Sequence, residues 1–127
     1  MATDPTLLAH ALDLFSRVGA LTTGGMFSGT AIYVDGDVMF ATILGDTVWM
    51  KSDESTRPMF EQAGARPFTY DRKTGARQVA SLMSLPENAL DDPDEAYRWA
   101  QIALPPAREA AAKKRAQKAR KPPKGST

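Results

Sequence analysis

The chain has 127 residues, no cysteine and one histidine, with 43% apolar and 24% charged residues. That composition suits one globular domain with one core, and the missing cysteine excludes disulfides and thiolate metal sites. The net charge of +1 conceals an asymmetry: Arg108 to Thr127 holds eight basic residues against Glu109 alone, or +7, and the preceding 107 residues hold eight basic and fourteen acidic groups, or −6. An acidic body with a basic tail differs in its expected partners from a uniformly neutral protein. Residues 1–5 offer neither the basic nor the apolar region of a secretory leader, and no apolar run reaches the length of a membrane span. The expected location is cytoplasmic.

In chain order, Asp4-Pro5 is a helix start, an N-cap acceptor followed by proline at the first helical position. Leu7, Ala11, Leu14 and Val18, with Leu8, Leu12 and Phe15 beside them, predict a helix of roughly four turns closed by Gly19. A strand is expected near Thr22 to Phe27. The next alternates, with Thr30, Ile32 and Val34 facing one way and Ala31 and Tyr33 the other. Asp35-Gly36 signals a two-residue hairpin, since both positions must accept positive φ. Val38 to Leu44 is apolar at nearly every position, as in a strand covered on both faces. Gly45-Asp46 turns the chain into Thr47–Lys51, so these strands are antiparallel neighbours.

Pro58 cannot lie deep inside a helix, so the second helix is expected from about Thr56, with Ser55 as cap, Met59, Phe60 and Ala63 as its apolar face and Gly64 as its end. Phe68 to Asp71 and Gln78 to Leu85 predict two further strands joined around Lys73-Thr74-Gly75. Asp92-Pro93 repeats the first cap signature and opens a helix with Tyr97, Ala100, Leu104 and Ala107 on its face, flanked by Trp99 and Ala103. Pro105-Pro106 is expected to interrupt it. The expected fold is α+β: a two-layer antiparallel β-sheet with helices packed on one face, in the order α-β(4)-α-β(2)-α. Tyr33, Met39, Trp49, Tyr70 and Met83 are candidates for the opposite face, either as a self-association patch that would make a homodimer or as residues under long helices. Residues 105–127 are read as a basic Ala/Lys/Arg-rich tail, partly helical or disordered, behind a domain of residues 1–104.

Candidates for chemistry each have a structural alternative. His10 has no cysteine or second histidine to join it. Gly24-Gly25-Met26-Phe27-Ser28-Gly29 lacks the Lys-Ser/Thr of a phosphate cradle and leads into a strand, and Ser28 lacks a nucleophile elbow. Asp91, Asp92, Asp94 and Glu95 do not have calcium-loop spacing and fit helix capping. No catalytic, cofactor or metal residue is therefore assigned, and no enzyme is expected. The basic segment has more functional pull. Lys113, Lys114, Arg115, Lys118, Arg120 and Lys121 are candidate nucleic-acid contacts through phosphates, DNA or RNA alike, without base reading. The alternative is a solvated tail.

The stretch from Met26 to Arg72 resembles the N-terminal domain of the TfoX (Sxy) family of bacterial competence regulators. Met26-Phe27-Ser28-Gly29 stands where the family has Met-Phe-Gly-Gly, followed by Ala31 to Val34 and Asp35-Gly36, Val48 to Lys51, Met59-Phe60 and Pro67 to Arg72. The resemblance covers roughly residues 5–104 and implies the same two-layer fold, without the family's usual second domain. It implies a small non-enzymatic protein-interaction or regulatory module, linked to competence and transcription, whose partner is another protein such as a transcription regulator. Met26, Phe27, Ser28, Gly29 and Trp49 are the candidate partner-binding residues.

Overall fold

The computed structural model describes the backbone of residues 4–26, 29–72 and 75–120. Its elements are α1 (Pro5–Leu14), β1 (Leu21–Met26), β2 (Gly29–Val34), β3 (Val38–Leu44), β4 (Thr47–Lys51), α2 (Arg57–Gln62), β5 (Pro67–Arg72), β6 (Gly75–Ser84) and α3 (Pro93–Arg120). All six strands form one antiparallel sheet in the order β1-β2-β3-β4-β6-β5. The fold is the expected α+β arrangement, with β3 and β4 central.

The main core lies between the sheet and the helices. Ile32, Val34, Phe40, Ile43, Val48, Met50 and Met83 meet Ala11, Leu14 and Phe15 near α1, Phe60 of α2, and Trp99, Ala103 and Leu104 of α3. Phe15 stands edge-on to Phe40 at 5.3 Å, and Phe60 meets Trp99 at 4.7 Å. A bulge helps to build this core. The register passes from Ile32↔Ala41 to Tyr33↔Met39, leaving Phe40 as the extra residue of β3. The inserted residue lets the consecutive Phe40 and Ala41 both enter the helix-side core.

Several details depart from the sequence expectation. α1 has ten residues, and Ser16–Val18 continues it as a 3₁₀ turn before Gly19. The turn after β2 has three residues, Asp35 to Asp37, because Val34 pairs with Val38. Asp35 and Gly36 do adopt positive φ, at 55° and 87°. Ser55 does not cap α2. Instead the Asp53 carboxylate accepts from the Ser55 and Thr56 amides and the Ser55 hydroxyl, and Thr56 Oγ1 accepts from the Asp53 amide. Asp53 wins because it stands three residues before Thr56, the reach of a capping side chain.

α3 is one helix of 28 residues that runs through Pro105 and Pro106. Each proline removes an amide from the helical ladder. Packing offsets that loss: Ala96, Trp99, Ala100, Ala103, Leu104, Ala107 and Ala111 are buried along one stripe against the sheet. Tyr97 lies at the stripe's edge, half-buried beneath the Arg17 guanidinium at 4.5 Å.

The face away from the helices carries a smaller cluster of Leu44, Trp49, Leu82 and Phe68. Met83 is not part of it. The register Met50↔Met83 turns Met83 to the helix side and leaves Leu82 opposite. Tyr33 and Met39 pair across β2 and β3 and are half-buried, and the Tyr70 side chain lies outside the described residues.

Candidate functional site

Where the β3–β4 turn, the end of β6 and the starts of α1 and α3 converge, the fold leaves a cleft of about 870 Å³. Its apolar lining comes from Leu7, Val48, Leu85, Pro86, Leu90 and Trp99, and its polar rim from Asp46, Gln62, Arg66, Glu87, Asn88 and Arg98. The volume lies in the range of ligand-binding clefts. Met59 of α2 also lines it and is 42% exposed, the one large apolar side chain so exposed among the described residues. Expected in the α2 core face, Met59 turns outward instead. The helix has only six residues and buries Phe60 alone.

The two arginines are held on indole faces. Arg98 lies 5.1 Å from the centre of Trp99 and pairs with Glu95 at 3.2 Å. Arg66 lies 5.5 Å from the centre of Trp49 and has no carboxylate partner among the described residues. Such stacking orients a guanidinium while leaving its N–H donors available. Arg66 is fixed by its backbone, which donates to Ser84 Oγ at 3.0 Å and accepts from the Ser84 amide at 2.9 Å. Beyond Arg66, on the helix-free face, a smaller pocket of about 320 Å³ is lined by Leu44, Trp49 and Phe68. Trp49 Nε1 is buried there without an acceptor among the described residues, and Phe68 stands edge-on to its ring at 5.1 Å.

The sequence-predicted partner residues are brought only partly together. Gly29 opens β2 at the sheet end that also holds the Gly45-Asp46 turn, and a Cβ there would collide with the Ile43 carbonyl and Leu44. Its role is close strand approach. Leu44 in turn joins Trp49 in the smaller cluster. Trp49 is 6% exposed and serves as a floor rather than a docking surface. Met26 ends β1, and Phe27 and Ser28 lie outside the described residues. Met59, Arg66 and Arg98 were missed. An arginine next to a proline and a methionine in a short helix carry no sequence signal of the cleft that unites them.

The remaining candidates have local roles. The His10 Nε2 is hydrogen-bonded to the Leu90 carbonyl, tying α1 to the segment before α3. Asp92 caps α3 by accepting from the Asp94 amide at 3.0 Å, and Asp94 binds Arg17 at 2.7 Å. Among the described residues no three His, Cys, Asp or Glu side chains are placed to hold a metal ion. Of the basic set, Lys113 pairs with Glu109 at 3.4 Å and Arg115 with Asp37. Lys114 and Lys118 are exposed without a carboxylate partner among the described residues. Burial, and secondly the nearby charge of Lys114, push the Lys51 ammonium below its ordinary pKa. The Arg120 side chain and Lys121 lie outside the described residues.

A family model described as the TfoX N-terminal domain matches residues 13–107. The chain belongs to the TfoX N-terminal domain family. The match spans the six strands and ends at Ala107, within α3, so the cleft lies almost wholly inside the family's domain and the exposed basic turns lie beyond it. No curated protein matches the chain. No helix among the described residues is long and apolar enough to cross a membrane.

Proposed function

We propose that this TfoX N-terminal domain is a non-enzymatic, cytoplasmic protein-interaction module of a regulatory kind, and that its cleft receives a segment of another protein. The carrying observation is the exposed Met59 beside an apolar floor, between arginines already stacked on Trp49 and Trp99. A pliable methionine and oriented guanidiniums are what a docking surface needs. Family membership supports a regulatory role, with transcription and competence as its setting.

Met59→Glu and Arg66→Glu change exposed side chains and should leave the fold intact. Each is expected to remove a protein that co-purifies with the wild-type chain from its host. Undiminished recovery of the same protein with both variants would defeat this reading.

A second reading rests on the exposed turns of α3 that present Lys114 and Lys118. These offer phosphate contacts to duplex DNA or RNA, independent of the cleft.

A further inference from the structure

The two edges of the sheet are built differently. β5, at one edge, carries Pro67 with no N–H to donate, a register shift between Pro67 and Phe68, and the charges of Asp71 and Arg72. Each feature discourages pairing with a further strand. β1, at the other edge, has none of them. Its sequence Leu21-Thr22-Thr23-Gly24-Gly25-Met26 lacks proline and charge, and it pairs with β2 without a register shift. Between Arg17 and Asp35 there are 17 consecutive uncharged residues. Thr22, Thr23 and Gly25 are exposed, and among the described residues no strand but β2 pairs with β1. An unprotected edge of this kind presents a row of backbone donors and acceptors that another strand satisfies.

We propose that a second copy of this chain occupies the edge, with β1 running antiparallel to β1 about a two-fold axis through Thr23. This goes beyond the cleft-based reading and does not depend on it. An isologous interface must be self-complementary, and β1 is. About that axis Thr23 faces Thr23 of the second copy, a favourable cross-strand pair. Thr22 then faces Gly24 and Leu21 faces Gly25, so each side chain meets a residue that has none. The lack of charge means that no like charges meet. Tyr33 adds to the match. A Cβ on Gly24 would lie 3.2 Å from its ring, so the ring extends across β1 on the helix-free face. Thr22 of the second copy comes to that same face. The two-fold axis keeps both helix layers on one side of a continuous twelve-stranded sheet.

Sedimentation velocity of the full chain over a wide concentration range tests this. The wild-type protein is expected to reach twice its single-chain mass of 13.8 kDa. Thr23→Lys sets two like charges opposite each other and is expected to stay monomeric, and an equimolar mixture with Thr23→Glu is expected to regain the doubled mass. Thr69→Lys, at an exposed position of β5, is expected to leave the dimer unchanged. Amide exchange of residues 21–25 in the wild-type chain is expected to slow as concentration rises, a readout that survives if Thr23→Lys misfolds. A monomer at every concentration, a Thr23→Lys dimer, or a mixture that stays monomeric overturns the proposal. Protection of residues 21–25 only when a different protein or peptide is added would assign the edge to another occupant and overturn it equally.

Discussion

Arg115, in the last third of α3, binds the carboxylate of Asp37 in the turn between β2 and β3, 78 residues away in sequence. Both side chains are about half exposed, so the pair contributes at most about 1 kcal/mol to stability. Its effect is positional, because α3 residues 112–119, beyond the buried Ala111, are all exposed. Asp37→Asn is expected to change the melting temperature little while accelerating amide exchange over residues 112–119. Unchanged exchange there would show that the helix end holds without this contact.

The same pair bears on nucleic-acid binding. On the nucleic-acid reading, Arg115 and Lys113 are already engaged by carboxylates, so the proposed phosphate contacts fall to the other four candidates, Lys114, Lys118, Arg120 and Lys121. Four contacts give a log–log salt slope of about −3.6 on duplex DNA. Removing residues 112–127 is expected to abolish this binding, and Arg115→Ala is expected to leave the slope nearly as it was. Equal binding by the truncated protein would exclude the tail as a nucleic-acid surface.

Asp53 organises the entry to α2. The Ser55 hydroxyl above all, with the amides and hydroxyl of Thr56 and Ser55, holds its carboxyl below the ordinary pKa against the opposing effect of burial. A carboxylate with a depressed folded-state pKa stabilises at neutral pH. That contribution is lost as pH falls below the ordinary value of about 3.9 through the folded-state value. Asp53→Ala is expected to cost about 1 kcal/mol at pH 7 and progressively less in acid. A loss that does not change with pH would contradict this role.

Pro105 is exposed on α3, and its missing amide leaves the Gln101 carbonyl without its helical donor. Pro105→Ala is expected to raise stability by about 1–3 kcal/mol in denaturant unfolding. Destabilisation would mean that the proline ring makes contacts worth more than the restored hydrogen bond.

The frame of this fold was readable from local chemistry. Asp4-Pro5, Asp35-Gly36, Gly45-Asp46 and Asp92-Pro93 each marked a boundary that the chain observes, because caps and positive-φ turns are decided within a few residues. What failed depended on distant partners. The prolines of α3 were overruled by alanines buried against the sheet. Met83 was placed on the wrong face because its orientation follows the register with β4. The cleft was invisible for the same reason. Met59, Arg66 and Arg98 come from separate elements, and nothing local distinguishes them. Trp49 is on the helix-free face, as expected, but as the buried floor under Arg66 rather than as an exposed surface.

The claim that the cleft docks another protein is tested most directly by placing a photo-crosslinking amino acid at position 59 and irradiating the host cells. The expected result is a discrete adduct with one protein, absent when Arg66→Glu is also present and absent when the crosslinker stands at exposed Ala112 instead. No adduct from position 59, or the same adducts from both positions, would contradict the account.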